Sequence, residues 1–118
     1  MKALMEQMQL ALLGRLNAPS VVDPRLIAQC KTYRDAVKLC WELRRVRNMT
    51  KAMLAEVAEL YAPHVTTYLH DSKRQRDLPG WAVRGFEWAC GNTAITQWMN
   101  LGAKLAVVEE MSFLRAAA

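Results

Sequence analysis

The sequence predicts an all-α, single-domain helical bundle, and three observations carry that prediction. Glycine and proline are scarce, five and four of 118 residues. The apolar residues recur every three or four positions along most of the chain, the period of an amphipathic helix rather than a strand. No internal repeat or low-complexity segment breaks the pattern, and a chain of this length supports one hydrophobic core.

Taken in order, the first helix is expected from about Lys2 to Leu16, with Leu4, Met5, Met8, Leu12 and Leu16 as its apolar stripe and Asn17-Ala18-Pro19 ending it. Asp23 followed by Pro24 has the form of an N-cap and first helical residue, starting a segment from Arg25 to about Arg47 that Thr32 could restart. Tyr33, Val37, Cys40, Trp41 and Leu43 make its buried side; Arg34, Lys38, Arg44, Arg45 and Arg47 are left for solvent or phosphate. Asp77-Leu78-Pro79 reads as the next start beyond the middle of the chain, with Trp81, Val83, Phe86 and Cys90 turning inward and Gly91-Asn92 as the stop. Thr93 is expected to cap a short helix from Ala94 to Met99, closed by Asn100-Leu101-Gly102. The tail from Ala103 to Arg115 admits either a helix or, through Leu105-Ala106-Val107-Val108, a short strand of a dimer. The domain is thus 1–118, with 1–30 an N-terminal extension, 33–100 the bundle and 101–118 a tail that could dimerise.

Composition narrows the function. No run of about 18 apolar residues suggests a membrane span, and Glu6, Gln7 and Gln9 interrupt the N-terminal apolar stretch where a signal peptide would be continuous. A cytoplasmic protein is expected. Cys30, Cys40 and Cys90 sit among apolar neighbours without metal-ligand spacing, so they read as small buried hydrophobes. His64 and His70 have no companion that would complete a zinc site. Paired carboxylates, a Ser/His/Asp set and a glycine-rich phosphate loop are all missing, so neither an enzyme nor a cofactor is expected. The net charge of +5 divides into +1, +5 and −1 over residues 1–30, 31–76 and 77–118. A middle third this basic suits contact with a polyanion.

The stretch Met49–Leu69, MTKAMLAEVAELYAPHVTTYL, has the most specific pattern in the chain. Thr50 can cap a helix running through about Glu59, with Leu54, Ala55 and Ala58 on one side. Ala55 is small where a second helix must cross closely, Leu60 fills the turn, and Val65, Tyr68 and Leu69 recur on a second buried face. Met49, Thr50, Lys51, Leu54, Ala55, Leu60 and Val65 resemble the helix-turn-helix of the phage-repressor class, the family of lambda repressor, Cro and their relatives. Leu78-Pro79, Phe86-Glu87, Cys90-Gly91-Asn92, Ile95-Thr96 and Trp98 are similar to later helices of Cro-like (XRE-type) prophage regulators. Two departures have physical consequences. Glu59 stands where the family has a turn glycine, so a left-handed backbone there would cost about 1–2 kcal/mol. Pro63 falls near the second position of the second helix, where a missing amide donor is tolerated.

The resemblance implies a double-stranded DNA-binding transcriptional regulator of phage or prophage, acting as a homodimer through the N-terminal stripe or the tail. The recognition helix would span about residues 62–70. Opposite its buried side stand Ala62, Pro63, His64, Thr66, Thr67 and His70, which with Lys51 are the base-contact candidates; no Arg, Asn or Gln is among them. Phosphate contacts are expected from Arg44, Arg45, Arg47, Asn48 and Thr50 before the motif helices and from Lys73, Arg74 and Arg76 after them. The alternative is a protein-interaction module on the same scaffold, such as an anti-defence factor or an antitoxin.

Overall fold

The computed structural model describes residues 18–70 and 74–117. The expected helix Lys2–Leu16 and the candidate Lys73 lie outside those residues. Among the described residues the regular structure is helical: α1 Pro24–Gln29, α2 Tyr33–Glu42, α3 Lys51–Val57, α4 Ala62–Leu69, a 3₁₀ turn Gly80–Ala82, α5 Val83–Cys90 and α6 Ala94–Ala117.

Local chemistry explains the boundaries. Asp23 caps α1, its carboxylate accepting from the Arg25 amide at 2.9 Å and pairing with the Arg25 guanidinium at 3.0 Å. The segment expected from Arg25 to about Arg47 is two helices, restarting at Thr32 as its capping residue allows. Thr32 and Asp35 form a reciprocal capping box: the Thr32 hydroxyl accepts from the Asp35 amide, and the Asp35 carboxylate accepts from the Thr32 amide. Two orphan donors are satisfied at once, so starting a new helix at Thr32 is more favourable than continuing the old one. At its far end α2 stops at Glu42 rather than near Arg47. The Arg45 amide donates to Cys90 O at 2.7 Å, and this long-range bond turns the chain out of the helix.

The core lies between α2, α3, α4, α5 and the first two turns of α6. Val37, Cys40, Leu54, Val65, Phe86, Cys90 and Ile95 are its largest fully buried side chains. Removing a side chain as enclosed as Leu54 would cost about 2–5 kcal/mol, because the neighbours close the cavity only in part. The second start falls later than Asp77-Leu78-Pro79 suggests: a 3₁₀ turn intervenes and α5 begins at Val83. Within it Trp81, expected to turn inward, is 73% exposed, whereas Leu78 and Ala82 take the buried positions. Gly91 ends α5 in a left-handed conformation, φ +81°, where an added Cβ would stand 2.9 Å from that of Arg45.

Thr93 precedes α6 as expected, its carbonyl accepting from the Gln97 amide and its hydroxyl donating to Gln97 Oε1, and other side chains reinforce this start. Asn92 Oδ1 accepts from the Ala94 amide at 3.2 Å, while its Nδ2 donates to Cys40 O at 2.9 Å. The buried Glu87 carboxylate accepts from both the amide and the hydroxyl of Thr96. Gln97 adds a two-bond clamp on the extended stretch before α1, donating to Val22 O and accepting from Val22 N. Anchored in this way, α6 does not end at Met99. It runs unbroken for 24 residues to Ala117, so the tail is helix and not strand, and Gly102 lies inside it. Every residue from Met99 to Ala116 is exposed, including Leu105, Val107, Val108, Met111, Phe113 and Leu114, each at least half exposed.

Candidate nucleic-acid interface

The stretch Met49–Leu69 folds as two short helices joined by a tight turn. Thr50 caps α3, its hydroxyl accepting from the Met53 amide at 3.2 Å. At the other end the Leu60 amide reaches back to Ala55 O at 2.8 Å, and Glu59 between them has φ +57°. That 6→1 bond with a left-handed residue inside it is a Schellman closure, accompanied here by burial of Leu60 beside Ala55. Glu59 is the one non-glycine residue with positive φ among the described residues. The chain then enters α4 with Pro63 in the first turn, and Val65, Tyr68 and Leu69 face the core. Cβ positions on α4 therefore turn Ala62, Pro63 and Thr66 outward, and all three are exposed.

The polar side chains of this face are largely occupied. Thr67 Oγ1 donates to the His64 carbonyl one turn back. The His64 ring stands edge-on to Tyr61 at 4.7 Å between centroids and to Tyr68 at 6.3 Å. His70, at the end of α4, is in contact with Lys51 Nζ at the start of α3. The structure thus brings Lys51, His64, Thr66, Thr67 and His70 to one region, with Ala62 and Pro63 at the N-terminal end of α4.

Basic groups gather at the C-terminal end of α4, where the helix carbonyls favour positive charge. A groove of about 380 Å³ there is lined by Lys38, Trp41, Glu42, Arg44, Leu69 and His70. Arg44 stacks on the Trp41 ring, 4.2 Å from its centroid, while donating to the carbonyls of Trp41 and Arg47. Arg34, from α2, donates to the carbonyls of His70 and Arg76. Arg34 and Lys38, which the sequence leaves for solvent or phosphate, join this end of α4. The signal was their place on the exposed side of the segment before the motif, but only the fold brings α2 against the end of α4.

The phosphate-contact candidates therefore divide. Arg47, Asn48 and Thr50 are exposed on the approach to α3, and Arg74 and Arg76 are exposed after α4. The Arg76 amide is tied to Thr67 O at 3.2 Å, which fixes the returning chain beside α4. Arg45 lies elsewhere: its guanidinium donates to Ala18 O, Ser20 Oγ and Gly91 O, holding the chain before α1 against the end of α5.

A second exposed surface lies on the other side of the turn. Ala58, Glu59, Trp81, Ala82, Arg84, Gly85 and Trp88 line a groove of about 460 Å³. Its floor is the close crossing of α3 and α5, where a Cβ on Gly85 would meet Ala58 O at 3.4 Å. Among the described residues no group of three or more His, Cys, Asp or Glu is placed to hold a metal ion, and no helix is long and apolar enough to cross a membrane.

Comparison of the chain with protein-family models, with curated proteins and with solved structures returned no match.

Proposed function

We propose that this protein binds double-stranded DNA through a lambda-repressor-like helix-turn-helix made by α3 and α4, as a phage or prophage transcriptional regulator. The observation that carries the reading is the turn. A capped helix is closed through a left-handed residue at Glu59 and followed at once by a second helix with three buried residues and an outward, proline-started face. Recognition of the major groove requires such a face held rigidly against its own domain. Arg47, Asn48 and Thr50 before it, and Arg74 and Arg76 after it, supply the phosphate-positioning charge and donors.

The regulator acts as a homodimer. A helix of about 36 Å that leaves its last 18 described side-chain positions exposed has little to hold it in water by itself. The apolar residues Leu101, Leu105, Val108 and Met111, spaced three or four apart, lie on one side and suit the same face of a second copy. Fluorescence anisotropy on randomised duplexes of about 30 bp, roughly three helical turns, tests DNA binding. Retention that falls steeply with salt is expected, and no retention at low salt refutes the reading.

A second reading is favoured by one observation. Trp81 and Trp88, 73% and 47% exposed, flank the groove beside Arg84, an exposed aromatic pair of the sort that anchors a protein partner. An interaction module, such as an anti-defence factor or an antitoxin, would use that groove. Replacing both tryptophans by Ala leaves DNA retention intact under the regulator reading. Replacing Arg47, Lys51 and Arg74 by Ala leaves an interaction module intact.

A further inference from the structure

A recognition helix without Arg, Asn or Gln cannot read a purine by the usual bidentate hydrogen bonds. We propose that the outer face of α4 selects its sequence by apolar contact with the 5-methyl groups of thymine in the major groove. The proposal rests on the DNA-binding reading above.

Three side chains able to offer hydrogen bonds to base edges already have partners within the protein. The Thr67 hydroxyl is donated to His64 O, and the His64 imidazole is held between Tyr61 and Tyr68. His70 is engaged with Lys51 at the start of α3. What remains outward is the Ala62 methyl, the Pro63 ring, Thr66 with its methyl and hydroxyl, and Tyr61 with its ring and phenol, itself 65% exposed, a surface made mostly of carbon. Pro63 also lacks an amide hydrogen, so the backbone of the first turn offers one donor fewer. The major-groove edge of thymine differs from that of every other unmodified base in carrying a methyl group, and contact with it needs no donor or acceptor. The exposed arginines around α4 would hold the duplex in register but carry no sequence information, because phosphates are the same at every step. Sequence choice therefore falls to the carbon surface between them.

The test carries one randomised duplex library through rounds of retention on the full chain in three parallel pools, prepared with thymidine, with deoxyuridine, and with 5-methyldeoxycytidine in place of deoxycytidine. The thymidine pool is expected to converge on a motif with thymines opposite α4. Replacing those thymines by uracil in the enriched duplex should weaken binding by about four-fold per contacted methyl, the factor that burial of one methyl-sized group supplies. The variant Thr66→Ser keeps the hydroxyl and loses the methyl, and should shrink the thymine-to-uracil ratio without changing the salt dependence. Equal affinity for the thymine and uracil duplexes overturns methyl readout and leaves DNA binding standing. Tightening in the 5-methylcytosine pool alone overturns the assignment to thymine. Absence of salt-sensitive retention in all three pools overturns the DNA-binding reading itself.

Discussion

Replacing Glu59 by Gly should stabilise the protein. Glu59 holds φ +57° at the closure of α3, where the Leu60 amide must reach Ala55 O. A side chain at that φ costs about 1–2 kcal/mol through the clash of Cβ with the backbone. Glycine removes the clash but brings more freedom to the unfolded chain, which returns about 0.5–1 kcal/mol. The carboxylate also stands at the negative end of α3, so its removal adds a few tenths of a kcal/mol. The balance is roughly 0.5–1 kcal/mol in favour of Glu59→Gly, a rise in melting temperature of about 2–6 °C for a chain of this size. Thermal and urea unfolding followed by circular dichroism would measure it, with Glu59→Ala as the control, since alanine keeps the Cβ and should gain only the small electrostatic part. A Glu59→Gly variant no more stable than the parent, or an alanine variant equally stabilised, would refute the backbone argument.

Asn92→Ala should cost about 2–4 kcal/mol, because it strands the Cys40 carbonyl and the Ala94 amide in a buried place; a shift in urea midpoint with unchanged slope is the expected readout. Thiol labelling of the native protein should modify Cys30 well before Cys40 and Cys90, which are fully buried. The Cys40 thiol is in addition held protonated by its hydrogen bond to Cys90 and by burial, so raising the pH moderately should accelerate Cys30 and leave Cys40 slow until the chain unfolds. If α6 pairs as proposed, replacing Leu105 and Val108 by Asp should convert the dimer to a monomer in sedimentation, weakening association by more than about a thousand-fold, since a carboxylate in an apolar seam costs several kcal/mol.

Much of the helix placement was legible because local rules set it. Thr50, Pro63 and Gly91 behave as their positions in the sequence suggest, and the spacing of Leu54, Ala55, Val65, Tyr68 and Leu69 gives their burial. What escaped depends on contacts across the fold. Nothing near Gly102 says that the helix continues through it, because the start of α6 is fixed from a distance by Glu87 and by the pairing of Gln97 with Val22. Asn92 reads as half of a helix stop, although its side chain both caps α6 and ties it to α2. In the candidate site the arginines look alike in sequence, yet Arg45 is spent on Ala18, Ser20 and Gly91, whereas Arg47 stays exposed. The hydroxyl of Thr67 likewise looks available until the helix places it on the carbonyl of His64.

The proposed DNA-binding face of α3 and α4 is tested by the salt dependence of binding to an enriched duplex. The logarithm of affinity should fall linearly with the logarithm of salt concentration, by about 0.9 for each phosphate neutralised. In the variant with Arg47, Arg74 and Arg76 replaced by Ala, the slope should flatten by about 2.7 per protomer, with the fold unchanged by circular dichroism. A slope that does not move on those substitutions, or binding insensitive to salt, would refute DNA binding through α3 and α4.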